Sequence, residues 1–92
     1  MTYRLVTSER FLRKSRKFLR KHPELKPRFA ETMEKLRRDP FQPSLRLHPL
    51  LGDLSGCHAV ILTYSLRVTL TLKITEKEIV LLDIGSHDEV YG

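Results

Sequence analysis

The stretch LRVTLTLKI, residues 66–74, constrains this chain most. Leu66, Val68, Leu70, Leu72 and Ile74 alternate with Arg67, Thr69, Thr71 and Lys73, a period of two that sorts apolar and polar side chains onto opposite faces of an extended strand. Such a strand needs strand neighbours and an apolar cover on one side. CHAVILT before it and EIVLLDI after it are the runs able to pair with it, joined at YS and TEK, so this half reads as an antiparallel meander.

The first half follows a different period. YRLV at 3–6 reads as a short strand, and Thr7 or Ser8 can cap the helix that follows. From Glu9 to Lys21, Phe11, Leu12, Phe18 and Leu19 are expected on one face, with Arg10, Arg13, Lys14, Lys17, Arg20 and Lys21 on the other. HPELKP interrupts this helix, with His22 at its end. Leu25, Phe29, Met33 and Leu36 then mark a second helix, with Pro27 in its first turn and Pro40 stopping it at Asp39. The predicted fold is α+β: an N-terminal strand and a helical hairpin packed on an antiparallel sheet. At 92 residues, without repeat or linker, it is expected to be a single domain over 1–92.

Charge narrows the class of partner. The net charge is +6, but residues 1–50 carry 14 Lys and Arg against 5 Asp and Glu, whereas residues 51–92 carry 3 against 6. A basic half of this kind suits a polyanion, nucleic acid first, or an acidic protein. The longest apolar stretches, AVIL and IVLL, fall far short of the roughly 20 residues that span a bilayer, and MTYRLVTSER has no secretion-signal core, so no membrane association and a cytoplasmic location are expected. The single cysteine, Cys57, reads as a small apolar strand residue.

The candidate chemistry lies in a few polar residues. His22, His48, His58 and His87 show no metal-ligand spacing, so neither a metal nor a cofactor is expected. His58 can lie on either face of its strand. His48 enters the sheet and His87 follows its last strand, and an imidazole with a pKa of about 6.5 can serve as acid or base near neutrality. Arg67 on the polar face is either a solvated surface residue or a phosphate ligand. There is no glycine-rich phosphate loop, and the tripeptide SHD cannot form a triad from adjacent residues.

LHPLLGDLSG, the strand pair carrying Arg67 and the tail IVLLDIGSHDEVYG together resemble the RelE/ParE superfamily of toxins from bacterial toxin–antitoxin pairs, nearest its YafQ-like mRNA interferase branch. The resemblance spans essentially the whole chain. It implies a metal-independent endoribonuclease acting on mRNA at the ribosome, in which the 2′-hydroxyl attacks the adjacent phosphate and leaves a 2′,3′-cyclic phosphate. By position, His48, Arg67, His87 and Tyr91 match the family's catalytic residues, with Tyr91 suited to stack on a base. Gly85 and Ser86 would turn the chain off its last strand so that His87 and Tyr91 return beside Arg67. Arg13, Lys14, Lys17, Arg20, Lys21 and Arg46 are the candidate RNA-binding cations, and a cognate antitoxin, the ribosome and mRNA are the implied partners. Departures are the missing Asp-Trp pair of the YafQ branch and the missing lysine cluster of RelE. The alternatives are a ParE-like DNA gyrase inhibitor acting by protein binding, or a catalytically degenerate module that binds RNA or antitoxin.

Overall fold

The computed structural model of the chain describes residues 2–86. Its elements run β1 (Arg4–Thr7), α1 (Glu9–Lys21), α2 (Lys26–Arg38), β2 (His48–Pro49), β3 (His58–Thr63), β4 (Leu66–Lys73) and β5 (Glu78–Ser86). The five strands form one sheet in the order β1-β5-β4-β3-β2. β3, β4 and β5 are the expected antiparallel meander, and β2 extends it antiparallel to β3. β1 lies parallel to β5, from Arg4 opposite Glu78 to Thr7 opposite Leu81, which makes the sheet mixed.

Ser8 decides where β1 becomes α1. Its backbone N–H donates to the Leu81 carbonyl at 3.1 Å, and its hydroxyl accepts from the Phe11 N–H at 3.1 Å while donating to the Leu82 carbonyl at 3.3 Å. One residue therefore ends the strand, caps the helix and fastens the junction to β5. The buried stripe of α1 is Phe11 and Ser15, with Phe18 packed beside them. The expected place of Leu12 on that face is corrected, since it is 36% exposed. Positions 11, 15 and 18 fall on one line of a 3.6-residue helix and position 12 falls on its flank. In α2, Thr32 and Leu36 are buried, and the ring of Phe29 stacks on Phe11 at 6.1 Å. The helix ends at Asp39, in the extended conformation a following proline favours.

The larger core cluster lies on one face of the sheet, and a smaller one, Leu50 and Ala59 with Leu54 and Cys57, on the other. In the larger, Val60 and Leu62 of β3, Val68 and Leu70 of β4, and Ile79, Leu81 and Ile84 of β5 are buried with Phe11, Leu36 and Leu45. Strict alternation would have sent Asp83 to the same side as Ile79 and Leu81. A bulge prevents it: Leu70 pairs with Leu81 and Thr69 with Asp83, so Leu82 is an extra residue in β5. Ile84 thereby returns to the core and Asp83 goes to the opposite face. β5 also runs further than expected. Gly85 pairs with Arg67 and Ser86 with Leu66, so these residues continue the strand rather than turn off it, because β4 still offers ladder partners there.

Candidate functional site

The face of the sheet opposite the larger core carries the polar residues. Register sets His48, Ala59, Thr69 and Asp83 in one row across β2, β3, β4 and β5, and Ile61, Arg67 and Gly85 in the next. With strands about 4.8 Å apart and a rise of about 3.4 Å per residue, the backbones of His48 and Arg67 are about 12 Å apart. The two do not touch. Between them lie Ala59, buried under Leu50, Leu54 and Cys57, and the half-buried Ile61.

His48 is half-buried, and its Nδ1 is 2.8 Å from the carbonyl oxygen of Arg46. A carbonyl only accepts, so Nδ1 carries the proton, and in the neutral ring Nε2 carries the basic lone pair. Arg46 holds that carbonyl in place with a left-handed backbone, φ 50°, while its own side chain is exposed. In the neighbouring row, Nη1 of Arg67 donates to the carbonyls of Thr63, Tyr64 and Leu66 at 3.1, 3.0 and 3.3 Å. Two hydrogens serve three acceptors, so one is shared. Arg67 is on the open face as expected, and its guanidinium is anchored on the β3–β4 turn. His87 and Tyr91 lie outside the described residues.

The cations of α1 divide into two groups. Arg13, Lys14, Lys17 and Lys21 line a cleft of about 480 Å³ together with Phe18, His22, Leu66, Ile84 and Gly85, so four of the six expected RNA-binding residues meet beside the end of β5. Arg20 faces outward with Arg16, Leu19 and Lys26, and Arg46 belongs to the loop before β2. Arg13, Lys17 and Lys21 are in no ion pair among the described residues, whereas Lys14 is held 2.6 Å from Asp83.

Two residues of this region, Asp83 and Thr69, were not singled out from the sequence, and the face of a third, His58, was left open there. Asp83 accepts from the Ile84 N–H at 2.8 Å and pairs with Lys14 and, at 3.3 Å, with Arg10. Its signal is a lone acid closing an apolar run, but its face depends on the bulge. Thr69 is 4% exposed and its hydroxyl has no hydrogen-bond partner among the described residues. Burying such a group unpaired costs about 1–3 kcal/mol. His58 pairs with Leu70 and follows the parity of Val60 and Leu62, so it lies on the helix side and cannot join His48.

No protein-family model and no curated protein matches the chain. Solved structures do resemble it in fold. A chain of the Escherichia coli DinJ–YafQ toxin–antitoxin complex superimposes with a TM-score of 0.79 at 17% identity, covering 100% of both chains. A YoeB/ParE toxin from Agrobacterium tumefaciens gives 0.76 at 17% identity over 91% of this chain and 98% of that one. A chain of the toxin–antitoxin complex RelBE2 from Mycobacterium tuberculosis gives 0.63 at 18% identity over 95% and 100%. The chain shares the fold of these chains nearly end to end.

Proposed function

We propose that this chain is the toxin of a toxin–antitoxin pair, a single domain over 1–92 that acts in the cytoplasm as a metal-independent mRNA endonuclease on the ribosome. The observation that carries the reading is the placing of His48 and Arg67 on one polar face of the sheet, with Gly85, the partner of Arg67 in the ladder, lining a cleft that also holds Arg13, Lys14, Lys17 and Lys21. The fold shared with known toxins supports it.

In this mechanism the basic cleft takes the phosphate backbone through salt-sensitive contacts. Nε2 of His48 accepts the proton of the 2′-hydroxyl as its oxygen bonds to phosphorus; the bond from Nδ1 to Arg46 keeps the ring in the tautomer that can do so. Arg67 stabilises the charge gathering on the phosphoryl oxygens, its guanidinium held by the turn carbonyls. His87 delivers a proton to the departing 5′-oxygen, and Tyr91 stacks on a neighbouring base. The products are a 2′,3′-cyclic phosphate and a 5′-hydroxyl. A cognate antitoxin with an acidic segment covers either the helix cations Arg13, Lys17 and Arg20 or the face around Arg67.

The test is induction of the chain alone in bacteria, followed by mapping of transcript ends and single-turnover cleavage of a programmed ribosome complex. Cuts within codons on ribosomes are expected. Arrest with intact transcripts and altered DNA supercoiling would overturn the nuclease reading in favour of gyrase inhibition.

A further inference from the structure

A second cleft, of about 400 Å³, opens on the same face between the β2–β3 loop and the start of α1, lined by Ser8, Arg10, Leu54, Cys57, Thr69, Leu82 and Asp83. We propose that it is a pocket for one unstacked nucleobase of single-stranded RNA, with Thr69 on its floor and Arg10 and Asp83 along one wall. This rests on the RNA-cleaving reading and adds base recognition to phosphate binding.

The unpaired hydroxyl is the first reason. Thr69 lies in the row of Ala59 and Asp83, is nine-tenths buried, and has no hydrogen-bond partner for Oγ1 among the described residues. Valine would fill the same space without that penalty, so folding alone gives no reason for the hydroxyl. A ligand with a polar edge does.

The lining selects the ligand. Leu54, Cys57 and Leu82 suit the faces of a flat ring, while Arg10 donates and Asp83 accepts. Every base offers at least one donor and one acceptor on an edge. A phosphate would meet the Asp83 carboxylate in the wall, and an aliphatic side chain would leave Thr69 unpaired. The outer wall is built to hold its shape: Gly52 and Gly56 adopt φ of +67° and +96°, and the loop closes on itself through the bond from the Leu50 N–H to the Cys57 carbonyl at 2.9 Å. Arg10 lines this cleft and Lys14, one turn on, lines the basic one, with Asp83 binding both. A strand whose phosphates lie along Lys14, Lys17 and Lys21 therefore has a base within reach of Thr69.

The experiment follows the amide and methyl resonances of Thr69, Cys57, Leu54 and Leu82 in the purified protein during titration with the four nucleoside 5′-monophosphates and with ribose 5-phosphate, which has no base. Nucleotides are expected to move these resonances, and ribose 5-phosphate only those of α1. Thr69→Val is expected to melt at the same temperature or higher while binding the preferred nucleotide roughly tenfold more weakly, the worth of one hydrogen bond. Cys57→Phe, which fills the cleft, is expected to remove the base-dependent shifts and leave the α1 shifts intact. Equal shifts with ribose 5-phosphate, or unchanged nucleotide affinity in both variants, would overturn the pocket. The two readings fail separately: base-dependent binding by a chain that cuts no mRNA removes the nuclease alone, and cleavage with no base-dependent shift removes the pocket alone.

Discussion

The helix-covered face of the sheet and its open face are made from the same strands, yet their side chains are satisfied in different ways. On the covered face Val60, Leu62, Val68, Leu70, Ile79, Leu81 and Ile84 fill one apolar core, and each is at most 2% exposed. On the open face Thr69 is buried with no partner among the described residues, Arg67 is tied to turn carbonyls and Asp83 is braced by two cations. The first arrangement stabilises the fold by burial, whereas in the second the Arg67 bonds to the turn contribute and the buried Thr69 hydroxyl opposes folding. Polar groups kept at such positions point to a ligand, and the comparison fails if the two faces respond alike to substitution.

The largest separation is expected in catalysis. His48→Gln and His87→Gln should each slow single-turnover cleavage by roughly 10² to 10⁴ while leaving the melting temperature unchanged, the usual worth of positioned proton transfer. Because groups acting as a unit are non-additive, the double variant should be little worse than the more damaging single. Wild-type cleavage by His87→Gln would leave the tail with no catalytic part.

Leu62→Ala tests the covered face. It should lose about 2–5 kcal/mol of stability by denaturant unfolding, with cleavage per folded molecule unchanged. Arg67→Ala crosses the boundary between the faces. Losing its charge-assisted bonds to the β3–β4 turn should cost about 1.5–3 kcal/mol, and cleavage should fall as well. An Arg67→Ala protein that loses stability alone would make this arginine a turn clamp only.

Within α1 the comparison becomes one of flanks. Replacing both Lys17 and Lys21 by Ala should weaken ribosome binding and flatten its dependence on log salt by roughly 1.4, about 0.7 for each lost phosphate contact to single-stranded RNA. The pair Arg16 and Arg20, outside the basic cleft, should change that slope less. Equal slopes would mean that the cleft does not select the path of the RNA.

The smallest effect concerns acid stability at the β1–β5 edge. A hydrogen bond from Arg4, then the charges of Arg4 and Lys73, hold the Glu78 carboxyl below its ordinary value of 4.5 against the opposing effect of desolvation. A depressed folded pKa means that the unfolded chain binds more protons. This contribution is therefore complete above the ordinary value and disappears as pH falls through the folded one. Glu78→Gln should flatten the acid limb of a melting-temperature profile below about pH 4.5, only slightly, and less in high salt.

Much of the fold is legible in the sequence because it depends on neighbours a few residues apart. The alternation from Leu66 to Lys73, the capping by Ser8 and the stop before Pro40 are set by backbone sterics and short-range hydrogen bonds, and the structure has all three. The antiparallel meander follows from pairing the apolar runs in chain order. The composition of the open face was beyond reach of such rules. Whether Asp83 faces the core or joins Arg10 and Lys14 depends on one bulged residue, Leu82, and whether His58 can accompany His48 depends on the register of β3 against β4. Slipping a strand by one residue moves every side chain to the other face, so register is decided by packing summed over the whole sheet. The sequence by itself therefore determined which residues could do chemistry, and only the tertiary structure decided which of them share a face.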